Sequence, residues 1–264
     1  VPNVMPNAGA SHISMHHGLR GPAFTISSAC ASSAHALGMA LWLMRMGAMD
    51  AAVAGGSEAM LNNGCLRAWD ALRVVSPTTC KPFSAERNGM ILGEGGAMLV
   101  LEPLDAAQAR GARIYAELAG FGMTADAHHL TAPSLDGPAS AMRAALADAC
   151  LDPVEIDYIN AHGTGTPGND ANEVRAIREV FGAHANHLAI SSTKSMHGHT
   201  IGAAGAIEAA ATVLSIHHGI LPPTLNCTPL DPDCAIDVVA DHARPAVIRS
   251  ALSNSFAFGG LNAV

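Results

Sequence analysis

The sequence is poor in aromatic residues, in charge and in basic clusters, and each scarcity removes a class of function. Aromatic residues make up 4% of the 264-residue chain, too few for the stacking platforms that hold single-stranded nucleic acids. Charged residues are 14%, and 14 basic against 22 acidic side chains leave a net charge of −8. No run of Lys or Arg stands out, so a nucleic acid is not an expected partner. The six cysteines, at 30, 65, 80, 150, 227 and 234, make no CxxC pair and no dense framework. In a chain of this length that pattern fits a reducing compartment, the cytoplasm, with mostly buried thiols. The longest apolar stretch, Ala203 to Ile216, is broken by Glu208 and is too short to span a bilayer, so no membrane insertion is expected. No charged segment followed by an apolar one opens the chain as a secretory signal would.

What is present is apolar and glycine-rich. Apolar residues are 49%, enough for a sizeable core in one large domain or two modest ones. The 26 glycines are about one residue in ten, which suggests many tight turns. Strand candidates are Ala23–Ser27, Ala51–Gly55, Ala97–Leu101, Ile114–Phe121, Ile156–Asn160, Leu188–Ser191 and Ala251–Ser255. Between them run helical patterns: Cys30–Gly47, a short helix from Pro103 to Gly111, Ser140–Cys150, Asp170–Phe181 and Ile201–His217. Strands alternating with helices of this length predict βαβ units and an α/β class.

Four constellations could carry chemistry. In Ser27-Ser-Ala-Cys30-Ala-Ser-Ser33 a cysteine falls at the first turn of an apolar helix. A helix N-terminus offers unpaired N–H groups and partial positive charge, both of which favour thiolate, although most cysteines are simply buried. Asn160-Ala-His162-Gly-Thr-Gly-Thr166-Pro-Gly168 contains G-x-G-x-x-G between a strand and a helix. The dinucleotide fingerprint also needs an acid about 20 residues on, and here the next strand ends in Ser191-Ser-Thr-Lys194. The loop is better read as presenting His162, Thr164 and Thr166 at a strand's carboxyl end. In Ser192-Thr-Lys194-Ser-Met-His197-Gly-His199 the two histidines face apart at i and i+2, which opposes a shared metal, so no metal is expected. Lys194 beside an apolar segment needs a partner, and Glu208 is a candidate. In Asn254-Ser-Phe256-Ala-Phe258-Gly259-Gly260 a strand runs into a double glycine whose N–H groups could face an oxyanion, or which could be an ordinary turn.

Together, Ala29-Cys30-Ala-Ser-Ser33, Asn160-Ala-His-Gly-Thr-Gly-Thr166, Ser192-Thr-Lys-Ser-Met-His-Gly-His199 with Gly202-Ala-Ala-Gly205, and Asn254-Ser-Phe-Ala-Phe-Gly-Gly260 resemble the β-ketoacyl-[acyl-carrier-protein] synthases of the elongating type. The motifs stand in that family's order across essentially the whole chain, and Lys81–Gly96 is also similar to it. The resemblance implies an α/β, thiolase-like, five-layered α-β-α-β-α fold of two similar halves: residues 1–111 with the nucleophile and 112–264 with two catalytic histidines. It implies a catalytic triad of Cys30, His162 and His199. Lys194, supported by Glu208, would order the histidines. The N–H groups of Cys30 and Phe258 would bind the oxyanion. Phe258 and Phe256 would shape and gate the acyl pocket, and Thr164 and Thr166 would contact a pantetheine arm. The implied reaction condenses malonyl-carrier, with loss of CO₂, onto an acyl group held on Cys30, in fatty-acid or related acyl-chain or polyketide biosynthesis. It needs no cofactor beyond the phosphopantetheine of an acyl carrier protein. The carrier and a second subunit, identical or ketosynthase-like, are the implied partners, with Arg67, Arg73 and Lys81 as weak carrier-docking candidates.

Three positions depart from the family's commoner pattern. His197 stands where Thr is frequent, Ala257 where Gly is, and Leu261 where Thr is. A thiolase would carry a second catalytic Cys near the C-terminus, which Phe258-Gly-Gly260 lacks. A chain-initiating synthase would replace one His by Asn. A non-catalytic or inert subunit or fragment that only shapes an acyl pocket is the remaining alternative, against which intact Cys30 argues. The resemblance further implies a stretch ahead of Val1, supplying the first βα units, and a few residues beyond Val264.

Overall fold

The computed structural model describes residues 5–264 and shows short strands alternating with helices, as the pattern predicts. The first part holds α1 (Ala8–His17), α2 (Ser32–Arg45), β1 (Ala52–Glu58), α3 (Asn63–Ala71), β2 (Gly95–Leu101) and α4 (Leu104–Ala109). The second begins with β3 (Met123–Ala125), α5 (Asp136–Ala149), β4 (Tyr158–Asn160), α6 (Asp170–Phe181) and β5 (Ala189–Ser191). It continues through α7 (Lys194–His197), α8 (Ala204–His218), β6 (Ile220–Leu221) and β7 (Arg244–Pro245) to β8 (Ala251–Ser253), β9 (Ser255–Ala257) and β10 (Leu261–Ala263).

The element that positions the site is the parallel sheet β5-β4-β8, in which Asn160 is level with Ser191 on one side and Ser253 on the other. β4 and β5 are buried along their whole length, as continuous apolar runs in parallel sheets are. Ile159 and Ile190 pack with Met142 of α5 and Ile177 of α6 in the main core. All three strands point their carboxyl ends the same way, so the loops that follow them converge, as ligand sites in α/β folds do. β1 and β2 pair antiparallel from Ala52↔Leu101 to Glu58↔Gly95. α2 packs on β1, and α8 packs against α2 and β2.

The two helices touch because α8 has glycine at the crossing. A Cβ on Gly205 would lie 2.7 Å from the main-chain nitrogen of Ala34. Gly56 on β1 is equally restricted, since a Cβ there would lie 2.7 Å from that of Ser33. The small residues around Cys30 therefore serve close backbone packing as well as access.

The structure corrects several boundaries. Ala23–Ser27 and Ile114–Phe121 form no strand: neither has a ladder partner among the described residues, and propensity without a partner makes no sheet. The second segment instead lies tight along α5, where a Cβ on Gly120 would come within 2.6 Å of the Ala145 carbonyl oxygen. The helix expected from Cys30 opens with a 3-10 turn, Ala29–Ala31, before α2. The helix expected from Ile201 likewise opens with the 3-10 turn Ile201–Ala203 before α8. The strand expected over Ala251–Ser255 divides at Asn254: β8 joins the parallel sheet, and β9 turns to pair with β10. No helix among the described residues is long and apolar enough to cross a membrane.

Gly205→Ala should lower stability by about 1–3 kcal/mol, although Ala is the better helix former, because the added methyl meets backbone and not a movable side chain. A urea unfolding midpoint equal to or above that of the parent chain would contradict this packing account.

Candidate active site

Cys30 sits in the 3-10 turn that leads into α2 and is 5% exposed. The turn is held by Ser32, whose hydroxyl donates to the Ala29 carbonyl at 2.7 Å and accepts from the Ser28 N–H at 2.9 Å. Ala29 takes φ 49, in the left-handed region, a local strain that surrounding packing must hold. The conformation aims the Cys30 side chain away from α2, at the loops behind the parallel sheet.

His199 reaches the sulfur from the other side, with Nε2 at 3.1 Å from Cys30 Sγ. Its main chain is pinned by the Met90–Gly93 segment: His199 N–H donates to the Ile91 carbonyl at 2.6 Å, and Gly93 N–H to the His199 carbonyl at 3.0 Å. That explains structurally why the segment Lys81–Gly96 belongs with the site. His162 completes the group, its ring centroid 5.4 Å from that of His199 and the planes near perpendicular at 84°. One donor atom each from Cys30, His162 and His199 lies within 4.8 Å of the others.

Lys194 fixes the orientation of His162. Its ammonium donates to the His162 carbonyl at 2.6 Å, lies 3.3 Å from His162 Nδ1, and pairs with Glu208; both charged side chains are fully buried. An ammonium only donates, so His162 Nδ1 accepts and the ring proton sits on Nε2, facing the sulfur. The same fixed positive charge on the far nitrogen opposes a metal cation on the near one.

Electrostatics set the resting protonation state. Burial pushes the Cys30 thiol up to about 11; the Lys194 charge and the N–H groups of Phe258 and Cys30, which point at the sulfur, pull it back only in part. The N–H groups at the sulfur do favour thiolate, the direction expected of this position, but desolvation outweighs them. Burial, followed by the Lys194 charge, holds both His162 and His199 well below the usual imidazole range. Burial raises the Glu208 carboxyl to about 7 against the opposing pull of Lys194. The site at rest is a neutral thiol beside two neutral imidazoles.

These residues open on a cavity of about 260 Å³ lined also by Thr164, Thr166, Phe256, Phe258 and Trp69. The two threonine hydroxyls are 2.8 Å apart. Phe256 packs at 6.0 Å on the His162 ring, and Phe258 stacks on Trp69. His197, by contrast, ends α7 and turns away: Nε2 meets the Thr193 hydroxyl at 3.1 Å and Nδ1 the Gly198 carbonyl at 2.8 Å. Arg67 and Arg73 are exposed and close in sequence to Trp69, Leu72 and Val74, which line the cavity, while Lys81 is paired with Glu86 at 2.7 Å.

Two carboxylates were missed by the motif reading. Glu173 of α6 is buried and accepts the N–H groups of His162 and Gly163, both at 2.8 Å, and the side-chain amide of Asn254 at 3.1 Å. Asp170 accepts from the N–H of Phe83 at 2.8 Å and of Gly165 at 3.2 Å; burial raises its carboxyl to about 6. The N–H groups that a dinucleotide fingerprint would offer to a pyrophosphate are thus occupied by the protein's own acids. Their signal was two acids, three apart, in the helix that follows a glycine loop.

Comparison with known proteins places the chain. Family models described as "Beta-ketoacyl synthase, N-terminal domain" and "Beta-ketoacyl synthase, C-terminal domain" match residues 1–107 and 115–228. Nodulation protein E of Rhizobium sp. (strain N33) is 53% identical over 264 residues, covering 100% of this chain and 66% of that protein. The 3-oxoacyl-[acyl-carrier-protein] synthase 2 of Staphylococcus aureus is 43% identical over 271 residues, covering 100% of this chain and 67% of that one. Among solved structures, a type II polyketide ketosynthase bound to the hexaketide, in complex with its acyl-carrier protein, superposes with a TM-score of 0.95 at 37% identity, over 97% of this chain and 65% of that one. The fold is therefore the thiolase-like α/β fold of the ketosynthases, and the chain spans about two thirds of the length of the relatives it matches.

Two outcomes follow from the site. Lys194→Met should destabilise the chain by about 3 kcal/mol by leaving Glu208 buried without its partner, and adding Glu208→Leu should recover most of that loss. A double variant as unstable as the single one would assign the loss to packing. Iodoacetamide alkylation of Cys30, followed by mass spectrometry, should accelerate roughly tenfold per pH unit from neutral pH upward, because only the thiolate reacts. It should level off only near the raised thiol value of about 11; a plateau by pH 8 would reveal a resting ion pair instead.

Proposed function

Because this chain belongs to the β-ketoacyl synthase family, we propose that its protein is an acyltransferase that lengthens carrier-bound acyl chains by decarboxylative condensation. The observation that carries this reading is the 3.1 Å contact of His199 Nε2 with Cys30 Sγ, with His162 held by Lys194 in the tautomer that donates into the same cavity. Cys30 passes its proton to His199 as the sulfur attacks an acyl thioester. The oxyanion that forms is held by the N–H groups of Cys30 and Phe258, and it collapses to expel the carrier thiol, which takes the proton.

The acylated sulfur has no proton to donate. His199 Nδ1 has no partner among the described residues, so nothing there opposes a neutral His199 with its proton on Nε2. Malonyl-carrier then enters along Thr164 and Thr166. Loss of CO₂ leaves its electron pair as an enolate, stabilised by the Nε2 protons of His162 and His199. The enolate carbon attacks the acyl carbonyl, the carbon–sulfur bond to Cys30 breaks, and the thiolate released takes up a proton from solvent. The product is a 3-oxoacyl chain two carbons longer. Neutral donors suit a buried enolate because they stabilise charge without carrying a desolvated charge at rest.

On this reading the division at residues 111/112 separates a nucleophile-bearing half from a histidine-bearing half, in line with the adjacency of the two matched family regions. Substrates arrive on phosphopantetheine, and no metal or other cofactor takes part. The carrier protein docks beside Arg67 and Arg73, with Lys81 the least available because of Glu86. A second subunit, identical or ketosynthase-like, completes the enzyme. Six unpaired cysteines fit a cytoplasmic setting.

Cys30→Ala should abolish elongation of carrier-bound primers. His199→Ala should slow malonyl-carrier decarboxylation by about 10²-fold or more, while His197→Ala leaves it near the parent rate. Elongation by the Cys30 variant, or the reverse order of the two histidine variants, would overturn the assignments. Labelling of Cys30 by cerulenin separates a formed site from the alternative of an inert, pocket-shaping chain, and the product profile with defined acyl primers would read the chain-length preference.

A further inference from the structure

Trp69 stands out because α3 has so little else to hold it. No residue of α3 is fully buried, and Trp69 is its contact with the cluster formed by Cys30, Met90 and Leu92. Its indole stacks on the ring of Phe258, with centroids 6.0 Å apart and planes inclined by 24°. Phe258 tips the hairpin between β9 and β10, and the next two residues are the soft part of that tip: Gly259 at φ 87 and Gly260 at φ 69. Beyond Phe258 the tip is tied down by the Gly259 N–H, which donates to the Leu130 carbonyl at 2.7 Å. On the Phe258 side the ring stack supplies the corresponding anchor. The main-chain N–H of Phe258 is one of the two aimed at the Cys30 sulfur.

We propose that Trp69 is a positioning residue for acyl transfer: by stacking on the Phe258 ring it holds the Phe258 N–H where the oxyanion forms. This rests on the condensing reading above. An aromatic face suits the task, since two rings have a preferred mutual geometry in addition to the area they bury, which an aliphatic contact lacks. A glycine-flanked N–H acts as an oxyanion donor only when it is pre-aimed, because aiming it during the reaction would cost part of the stabilisation it provides.

The test compares two reactions of the same sulfur. Acylation by an octanoyl thioester of N-acetylcysteamine passes through an oxyanion; alkylation by iodoacetamide does not. In Trp69→Ala the maximal acylation rate should fall about 30-fold, less than the loss expected for deleting an oxyanion donor outright, with the half-saturating thioester concentration within about twofold of the parent and the alkylation rate, which loses only the share of thiolate that the Phe258 N–H supports, falling several-fold less than the acylation rate. Trp69→Phe, which keeps a stackable ring, should recover most of the acylation rate. Equal acylation in Trp69→Ala and parent overturns the inference. So does an equal fold loss of acylation and alkylation in Trp69→Ala, or a Trp69→Phe chain no faster than Trp69→Ala. A parent chain that takes up no octanoyl group overturns the condensing reading and this inference with it, whereas an acylated parent beside an unaffected Trp69→Ala overturns this inference alone.

Discussion

The Lys194 ammonium is the constraint around which the rest of the site is arranged. A charge with no exposure costs several kcal/mol unless it is matched, so its partners must be assembled whenever the fold is. Those partners come from separate elements: Glu208 from α8, and the carbonyl and ring of His162 from the loop after β4. Lys194 itself opens α7 after β5. One charge therefore sets the relative positions of two loops and a helix. It also sets a tautomer, because an ammonium that can only donate leaves His162 Nδ1 no choice but to accept. Gly205 of α8 completes the arrangement by letting α2, and Cys30 at its head, approach the same helix that carries Glu208.

A second layer of the site uses carboxylates in place of a ligand. Glycine loops before helix N-termini are natural anion sites, since their N–H groups lack partners in the helix. Here Glu173 and Asp170, in the first turn of α6, fill that role from within the chain. Glu173 additionally holds Asn254, at the junction between the parallel sheet and the strand leading to Phe258. A motif that elsewhere cradles a pyrophosphate is thus converted into a rigid support for His162. The difference lies in two acids, not in the glycines.

Much of this was legible in the sequence, for reasons that differ by element. The helix over Asp170–Phe181 was read to the residue, because an apolar face repeats between an acidic start and a glycine stop. The core strands β4 and β5 were readable as short apolar runs. Ala23–Ser27 and Ile114–Phe121 misled because composition reports what a segment can do, while a strand exists only with a partner. The triad came from ordered motifs and the resemblance they carry; spacing alone left His197 and His199 undecided, and only the fold turns one toward the sulfur and the other toward Thr193. Trp69 was invisible because its significance lies in what it touches across the fold, which no local pattern encodes, while Glu173 left only the faint trace of a second acid three residues after Asp170. The helix N-terminus at Cys30 was legible, but the degree of burial that decides its charge was not.

That burial explains why the site is neutral at rest. A thiolate held permanently beside an imidazolium would carry two desolvated charges through every idle moment, and it would react with any electrophile that reached the cavity. On the proposed reading, with both groups neutral, charge arises only as the sulfur attacks, when the N–H groups of Cys30 and Phe258 meet the oxyanion and His199 accepts the proton. The fixed pair of Lys194 and Glu208 is nearly neutral at a distance, but its positive end lies toward His162. Its field therefore falls on the side where the proposed reaction would form its anionic species: thiolate, tetrahedral oxyanion and enolate in turn. A low-dielectric interior that penalises standing charge amplifies this oriented charge for the same reason. On the proposed reading, the burial that holds the resting thiol protonated also strengthens the one ammonium that would stabilise each anion in sequence.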